Sequence, residues 1–148
     1  LGVIMFLEVI GGSKSQKKHT QGMVEFCANK LMPRLYNLDI TVRLCKPKGA
    51  LGYCLELEDK RTFELEIDRT QPLRQLLETV AHEMVHVKQY ARRELHPSKE
   101  AWLGKTVNPK KVSYWDLPWE IEAHGREVGL FVRYCEENKL GKYKWTNL

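Results

Sequence analysis

Between residues 71 and 95 the apolar positions Leu73, Leu76, Leu77, Val80, Met84, Val87 and Ala91 recur at three- and four-residue steps. At about 100° per residue they form one stripe roughly 100° wide, which predicts an amphipathic helix from Gln71 to Leu95. Helix formers fill it, Thr70 is placed to cap it, and Pro72 falls in the first turn, where its missing N–H does no harm. A second helical period runs from Lys17 to Leu35 through Met23, Phe26, Cys27, Lys30 and Leu31, with Pro33 weakening its end. A third helix starts at Leu117, with Asp116 as cap and Pro118 in the first turn, and runs to about Glu137. Its expected core stripe is Leu117, Ile121, Val128, Val132 and Cys135.

Strand patterns separate the helices. Val3–Ile10 is an apolar run that reads as a buried strand. Leu38–Leu44, Tyr53–Leu57 and Thr62–Ile67 alternate, and the last two read as a hairpin joined by Glu58-Asp59-Lys60-Arg61. Short strands are expected over Trp102–Val107 and Lys111–Tyr114, around an Asn108-Pro109 turn. The order implies an α+β fold: a small, mostly antiparallel sheet, an N-terminal helix, the 71–95 helix and a C-terminal helix carrying Glu120 and Glu122.

Composition sets bounds. The 148 residues suit one domain, 1–148, with a core that needs no disulfides. Hydrophobic residues at 43% and charged residues at 29% are ordinary for a globular chain. The net charge of +5 is scattered, with no aromatic-basic motif, so weak, non-specific, salt-sensitive nucleic-acid binding is the most it supports. Cys27, Cys45, Cys54 and Cys135 make no CxxC pair, which argues against a zinc ribbon and for free thiols in a reducing compartment. Leu1–Ile10 is too short to span a bilayer and lacks the flanks of a signal peptide; a chain opening on Leu leaves room for residues upstream. A cytoplasmic monomer without a membrane partner is expected. Gly11-Gly12-Ser13-Lys14-Ser15 lacks phosphate-loop spacing and reads as a turn.

The candidate chemistry lies on the 71–95 helix, at His82-Glu83-Met84-Val85-His86. His82 and His86 are one turn apart and point roughly 140–180° away from the apolar stripe. Two imidazoles so spaced can hold one Zn²⁺ at about 2.0–2.1 Å. Glu83, directly after the first histidine, can stand beside the metal without binding it and take a proton from an activated water. The alternative is two surface histidines on an amphipathic helix. A catalytic zinc takes three protein ligands, and Glu120 and Glu122 compete for the third place. Glu120 falls nearer the edge of the expected core stripe, in line with His124 and Glu127. Glu122 has Arg126 one turn on as a surface partner, worth about 0.2–0.5 kcal/mol. Glu120 is therefore favoured, with Glu122 the fallback. His124 or Glu127 can hydrogen-bond a histidine ligand, or simply face solvent. Tyr114 is an oxyanion-donor candidate just before the Glu120 helix, although an aromatic beside Trp115 is more often core. His96, beyond a helix break, reads as a surface residue.

His82-Glu83-Met84-Val85-His86 followed by Pro118-Trp119-Glu120-Ile121-Glu122-Ala123 resembles the small gluzincin-type zinc metallopeptidases, in particular SprT-like metallopeptidases encoded by tailed phages. The resemblance covers about Thr62 to Glu127 and implies a zincin-like fold, a Zn²⁺ cofactor and hydrolysis of protein or peptide substrates, in the host-cell cytoplasm if phage-encoded. It places the third ligand at Glu120, with His124 where the family often has Asp or Asn. It also implies that the strand just before the motif helix edges the substrate cleft. SprT-like proteins proper usually carry a third His and often a zinc ribbon, and this chain shows neither clearly. The competing expectation is a non-catalytic zinc-binding, nucleic-acid-associated module.

Overall fold

The computed structural model describes residues 5–35, 37–57 and 61–147. The elements run β1 (Met5–Ile10), α1 (Lys14–Leu31), β2 (Leu38–Cys45), β3 (Gly52–Glu56), β4 (Thr62–Asp68), α2 (Leu73–Ala91), β5 (Ala101–Trp102), β6 (Lys105–Thr106) and α3 (Pro118–Glu137). Short 3₁₀ turns stand at Tyr114–Asp116 and Lys144–Thr146. The architecture is α+β, with a small mixed sheet in the order β1-β2-β4-β3.

The sheet is not mostly antiparallel. β1 pairs with β2 and β2 with β4 in parallel; only β3 runs antiparallel, against β4. The 18 residues of α1 carry the chain from β1 back to the start of β2, a crossover that makes that pair parallel. β3 then inserts outside β4 instead of between β2 and β4. Alternation usually marks antiparallel sheets with one wet face. Here it marks a parallel pair with one wet face: Leu38, Ile40, Val42, Phe63, Leu65 and Ile67 are buried, while Asp39 and Arg43 are exposed. The buried face meets α1 through Met23, Val24 and Cys27, and α2 through Leu76, Leu77, Val80 and Met84.

Element ends also moved. α1 begins at Lys14, earlier than Lys17, because Ser13 and Gln16 form a reciprocal capping box. Gly11 precedes it at φ +86°, where a Cβ would lie 2.5 Å from the Leu44 carbonyl oxygen, so the glycines serve the turn. Thr70 does not cap α2: its N–H and hydroxyl go to Asp68, and Pro72 takes the cap position. Asp116 sits in a 3₁₀ turn, and Leu117 precedes α3 instead. The strand expected over Trp102–Val107 is a two-residue hairpin pair, β5 and β6, and Lys111–Tyr114 forms no strand. The connection expected over 58–61 falls, but for Arg61, outside the described residues, as do the residues before Met5.

The largest departure is the phase of α3. Ile121, Val128 and Val132, expected in the core, are 57%, 46% and 42% exposed. The inward face carries Trp119, Ala123, Phe131, Tyr134 and Cys135, and it packs along α2. α2 is thus buried on nearly every side from Val80 to Tyr90, including the face away from its apolar stripe. All four cysteines are free thiols. No helix among the described residues is long and apolar enough to cross a membrane.

Candidate metal centre

α2 and α3 bring three ligand atoms together. His82 Nε2 lies 3.2 Å from His86 Nε2 and 3.1 Å from Glu120 Oε1, and His86 Nε2 lies 3.3 Å from the same oxygen. Both histidines are buried, the i, i+4 spacing on α2 puts them on one face, and Glu120 enters from the first turn of α3.

The chemistry of this donor set fits a cation. His82 Nδ1 is 3.0 Å from Glu127 Oε1, a carboxylate oxygen that can only accept. His86 Nδ1 is 2.7 Å from Gln89 Oε1, also an acceptor. Both Nδ1 atoms therefore donate, and both Nε2 atoms turn to the common centre, beside an anionic oxygen. Two ring nitrogens and a carboxylate oxygen so close need a positive charge among them. In the metal-free protein a proton on His82 supplies it. Burial opposes that charge, but hydrogen bonds to Glu120 and Glu127, with the Glu83 charge nearby, outweigh it and raise His82 to about 10. Burial likewise works against the Glu120 anion, and the His82 hydrogen bond, with the His86 ring beside it, wins, holding Glu120 well below the usual carboxylate range. A tetrahedral ion with bonds of about 2.0–2.1 Å needs donors about 3.3–3.4 Å apart. The observed separations are close to this without rearrangement. His82, His86 and Glu120 are thus able to bind a metal ion.

Glu83 is buried next to this centre, and among the described residues its carboxylate has no hydrogen-bond or ion-pair partner. Burial raises its pKa, against the pull of His86 and His82. Gly52, the first residue of β3, lies against it: a Cβ there would be 2.8 Å from Thr79 Cγ2 and 3.0 Å from Glu83 Oε2. A cleft of about 400 Å³ opens over the cluster, walled by residues 50–55 of the β3 segment, Tyr90, Leu95 and Trp119, with Tyr114, His124 and Glu127 on the α3 side. β3, not β4, edges this cleft.

Tyr114 donates its hydroxyl hydrogen bond to Glu120 Oε1 at 3.1 Å and lies 2.9 Å from His124 Nε2. Burial, then the Glu120 charge, raises the Tyr114 phenol, so it stays protonated at neutral pH. His124 Nδ1 shares Glu127 Oε1 with His82, at 2.8 Å. Glu122 lies outside this donor set, and it is no simple surface pair either. Besides Arg126 at 3.3 Å it holds the buried Lys88 at 2.6 Å and the Gln89 amide at 2.9 Å. The pattern along the chain does not single out Gln89 or Lys88. Gln89 stands three residues after His86, on the same side of the helix, and that spacing is its signal. His96 hydrogen-bonds the nearby Ser98 at the exposed end of the 92–100 segment.

No family model, curated protein or solved structure matches the chain.

Proposed function

We propose that the chain is a zinc-dependent metallopeptidase of zincin-like fold, related in its site to the gluzincin type. The observation that carries this reading is the convergence of His82 Nε2, His86 Nε2 and Glu120 Oε1 beside the buried Glu83 carboxylate, which has no partner among the described residues. Two imidazoles and one carboxylate near tetrahedral spacing favour Zn²⁺ over the all-oxygen sites of Mg²⁺ or Ca²⁺. Bound there, zinc would supply Lewis-acid polarisation of a carbonyl and acidify water to a pKa of about 7.

The chain's own residues supply the rest. Glu83 accepts the proton of the attacking water and passes it to the leaving amine. Its raised pKa brings it nearer the range in which a carboxylate both takes and returns a proton. The Tyr114 hydroxyl, at the α3 wall of the cleft, donates to the oxyanion. An extended peptide pairs with the outer edge of β3, which has no strand partner among the described residues, using main-chain hydrogen bonds with little demand on side chains. This route suits proteins or peptides presented in unfolded form, cut internally.

The test is cleavage of unfolded polypeptides by zinc-loaded protein, with and without DNA, beside the Glu83→Gln variant. Internal cuts by the wild type, lost on chelation and in Glu83→Gln at retained zinc content, are expected. Zinc binding without cleavage in any condition favours the non-catalytic, nucleic-acid-associated module and overturns the peptidase reading.

A further inference from the structure

Of the two histidines, His82 is oriented directly by a carboxylate, whereas His86 leans on a glutamine. A primary amide can present either end. With its NH₂ toward His86 Nδ1 it would donate, placing the ring proton on Nε2 and aiming an N–H at the place where a lone pair is needed. Its neighbours decide the orientation. The other end of Gln89 meets the Trp119 carbonyl oxygen at 3.0 Å and Glu122 Oε1 at 2.9 Å. Neither a carbonyl nor a carboxylate can donate, so that end must be the NH₂. A flipped amide would set an oxygen against two acceptors in a fully buried place, leaving all three unsatisfied.

Glu122 is itself held as a carboxylate. Its other oxygen takes Lys88 Nζ at 2.6 Å and Arg126 at 3.3 Å, and Lys88 is anchored in turn by Glu94 at 2.8 Å. Lys88 is 6% exposed, and an ammonium so placed demands anionic partners. The chain of contacts thus runs from the buried lysine through Glu122 and Gln89 to His86.

We infer that Gln89 is a positioning residue for the metal centre: oriented by Glu122 and the Trp119 carbonyl, its oxygen accepts the Nδ1–H hydrogen bond of His86, keeping the ring proton on Nδ1 and leaving Nε2 bare toward Glu120. The inference rests on the metal-centre reading for its consequence, since a locked Nδ1–H ring is a ready ligand. Glu122 then serves the site through Gln89, which makes its removal costlier than the loss of a surface ion pair.

Two readouts that do not depend on hydrolysis test it: zinc affinity by competition with a chelator, and the downfield proton resonance of His86 Nδ1–H in metal-free and zinc-loaded protein. In the wild type that proton should exchange slowly. Gln89→Met, which keeps volume but removes the acceptor, should lose the resonance and weaken zinc binding about 10- to 100-fold. Glu122→Gln keeps shape but can donate as well as accept; it should speed exchange of the same proton and weaken zinc by a smaller factor. Because it changes little volume, it decides the matter if Gln89→Met does not fold. A protected Nδ1–H and unchanged zinc affinity in both variants would overturn the inference. Wild-type protein that binds no zinc, yet loses the protected proton in these variants, would uphold the His86–Gln89 lock and remove the metallopeptidase reading alone.

Discussion

At the scale of single residues, the H-E-x-x-H spacing was the most legible part of the chain, because i, i+4 geometry on a strong helix needs no tertiary information. Glu120 was reached by a weaker path. Its position was inferred from a core stripe through Ile121, Val128 and Val132, which the structure leaves exposed, yet Glu120 does face α2. The inward line runs Glu120, His124, Glu127, Phe131 and Tyr134, polar at the site and aromatic beyond it. A pattern search that counts only apolar positions loses such a face where function replaces hydrophobic residues with ligands. Tyr114 offers a test at this scale. Its hydroxyl reaches Glu120 and His124, and its ring contacts Trp115 and His124 edge-on, so removing the oxygen leaves the packing in place. Tyr114→Phe should keep zinc content and fold while kcat falls by about 100-fold, as for loss of one oxyanion donor. Steady-state kinetics beside metal analysis checks it; unchanged kcat would remove Tyr114 from the chemistry.

At the scale of elements, two misplacements have one physical source: neighbours in space that local patterning cannot name. The order of strands was hidden because β3 docks outside β4, and alternation is blind to strand direction. The α3 phase was hidden because aliphatic and aromatic stripes compete on one helix, and packing against α2 chose the aromatic one. The two stripes give opposite expectations. Phe131, 1% exposed and beneath the Arg74 guanidinium at 4.9 Å, should cost about 3–5 kcal/mol on change to Ala. Val128→Ala, on the exposed side, should stay within about 0.5 kcal/mol. Urea unfolding of both variants separates the stripes, and the reverse ranking would contradict the placement of α3. The turn from β4 into α2 carries a pH signature. Hydrogen bonds from the Thr70 hydroxyl and N–H lower the Asp68 pKa in the folded chain. A carboxylate lowered on folding contributes stability that is present above its unfolded value and lost as pH falls through the folded one. Asp68→Asn should therefore be less stable than the wild type at neutral pH, and the gap should close in acid. A gap that persists well below the ordinary aspartate range would show that the charge is not what matters.

At the scale of the molecule, a one-sided sheet, two helices on its dry face and a third helix against α2 leave one cleft over the histidines, with the β3 segment as one wall and α3 as the other. The scheme explains how a short chain can bury two histidines: the Nδ1 of each has its own acceptor, Glu127 or Gln89, and α3 walls one side of the cleft. Among the described residues the scattered positive charge reaches this cleft only at Lys99, and Glu83, Glu120, Glu127 and the histidines make up most of its polar lining. The central claim is that His82, His86 and Glu120 together hold zinc beside Glu83. The most direct measurement is a crystal structure of zinc-soaked protein with anomalous differences recorded on either side of the zinc edge. A single strong peak within bonding distance of His82 Nε2, His86 Nε2 and Glu120, with Glu83 beside it and making no bond to it, is the expected result. A peak held by His124 and Glu127 instead, or no peak between α2 and α3, would contradict it.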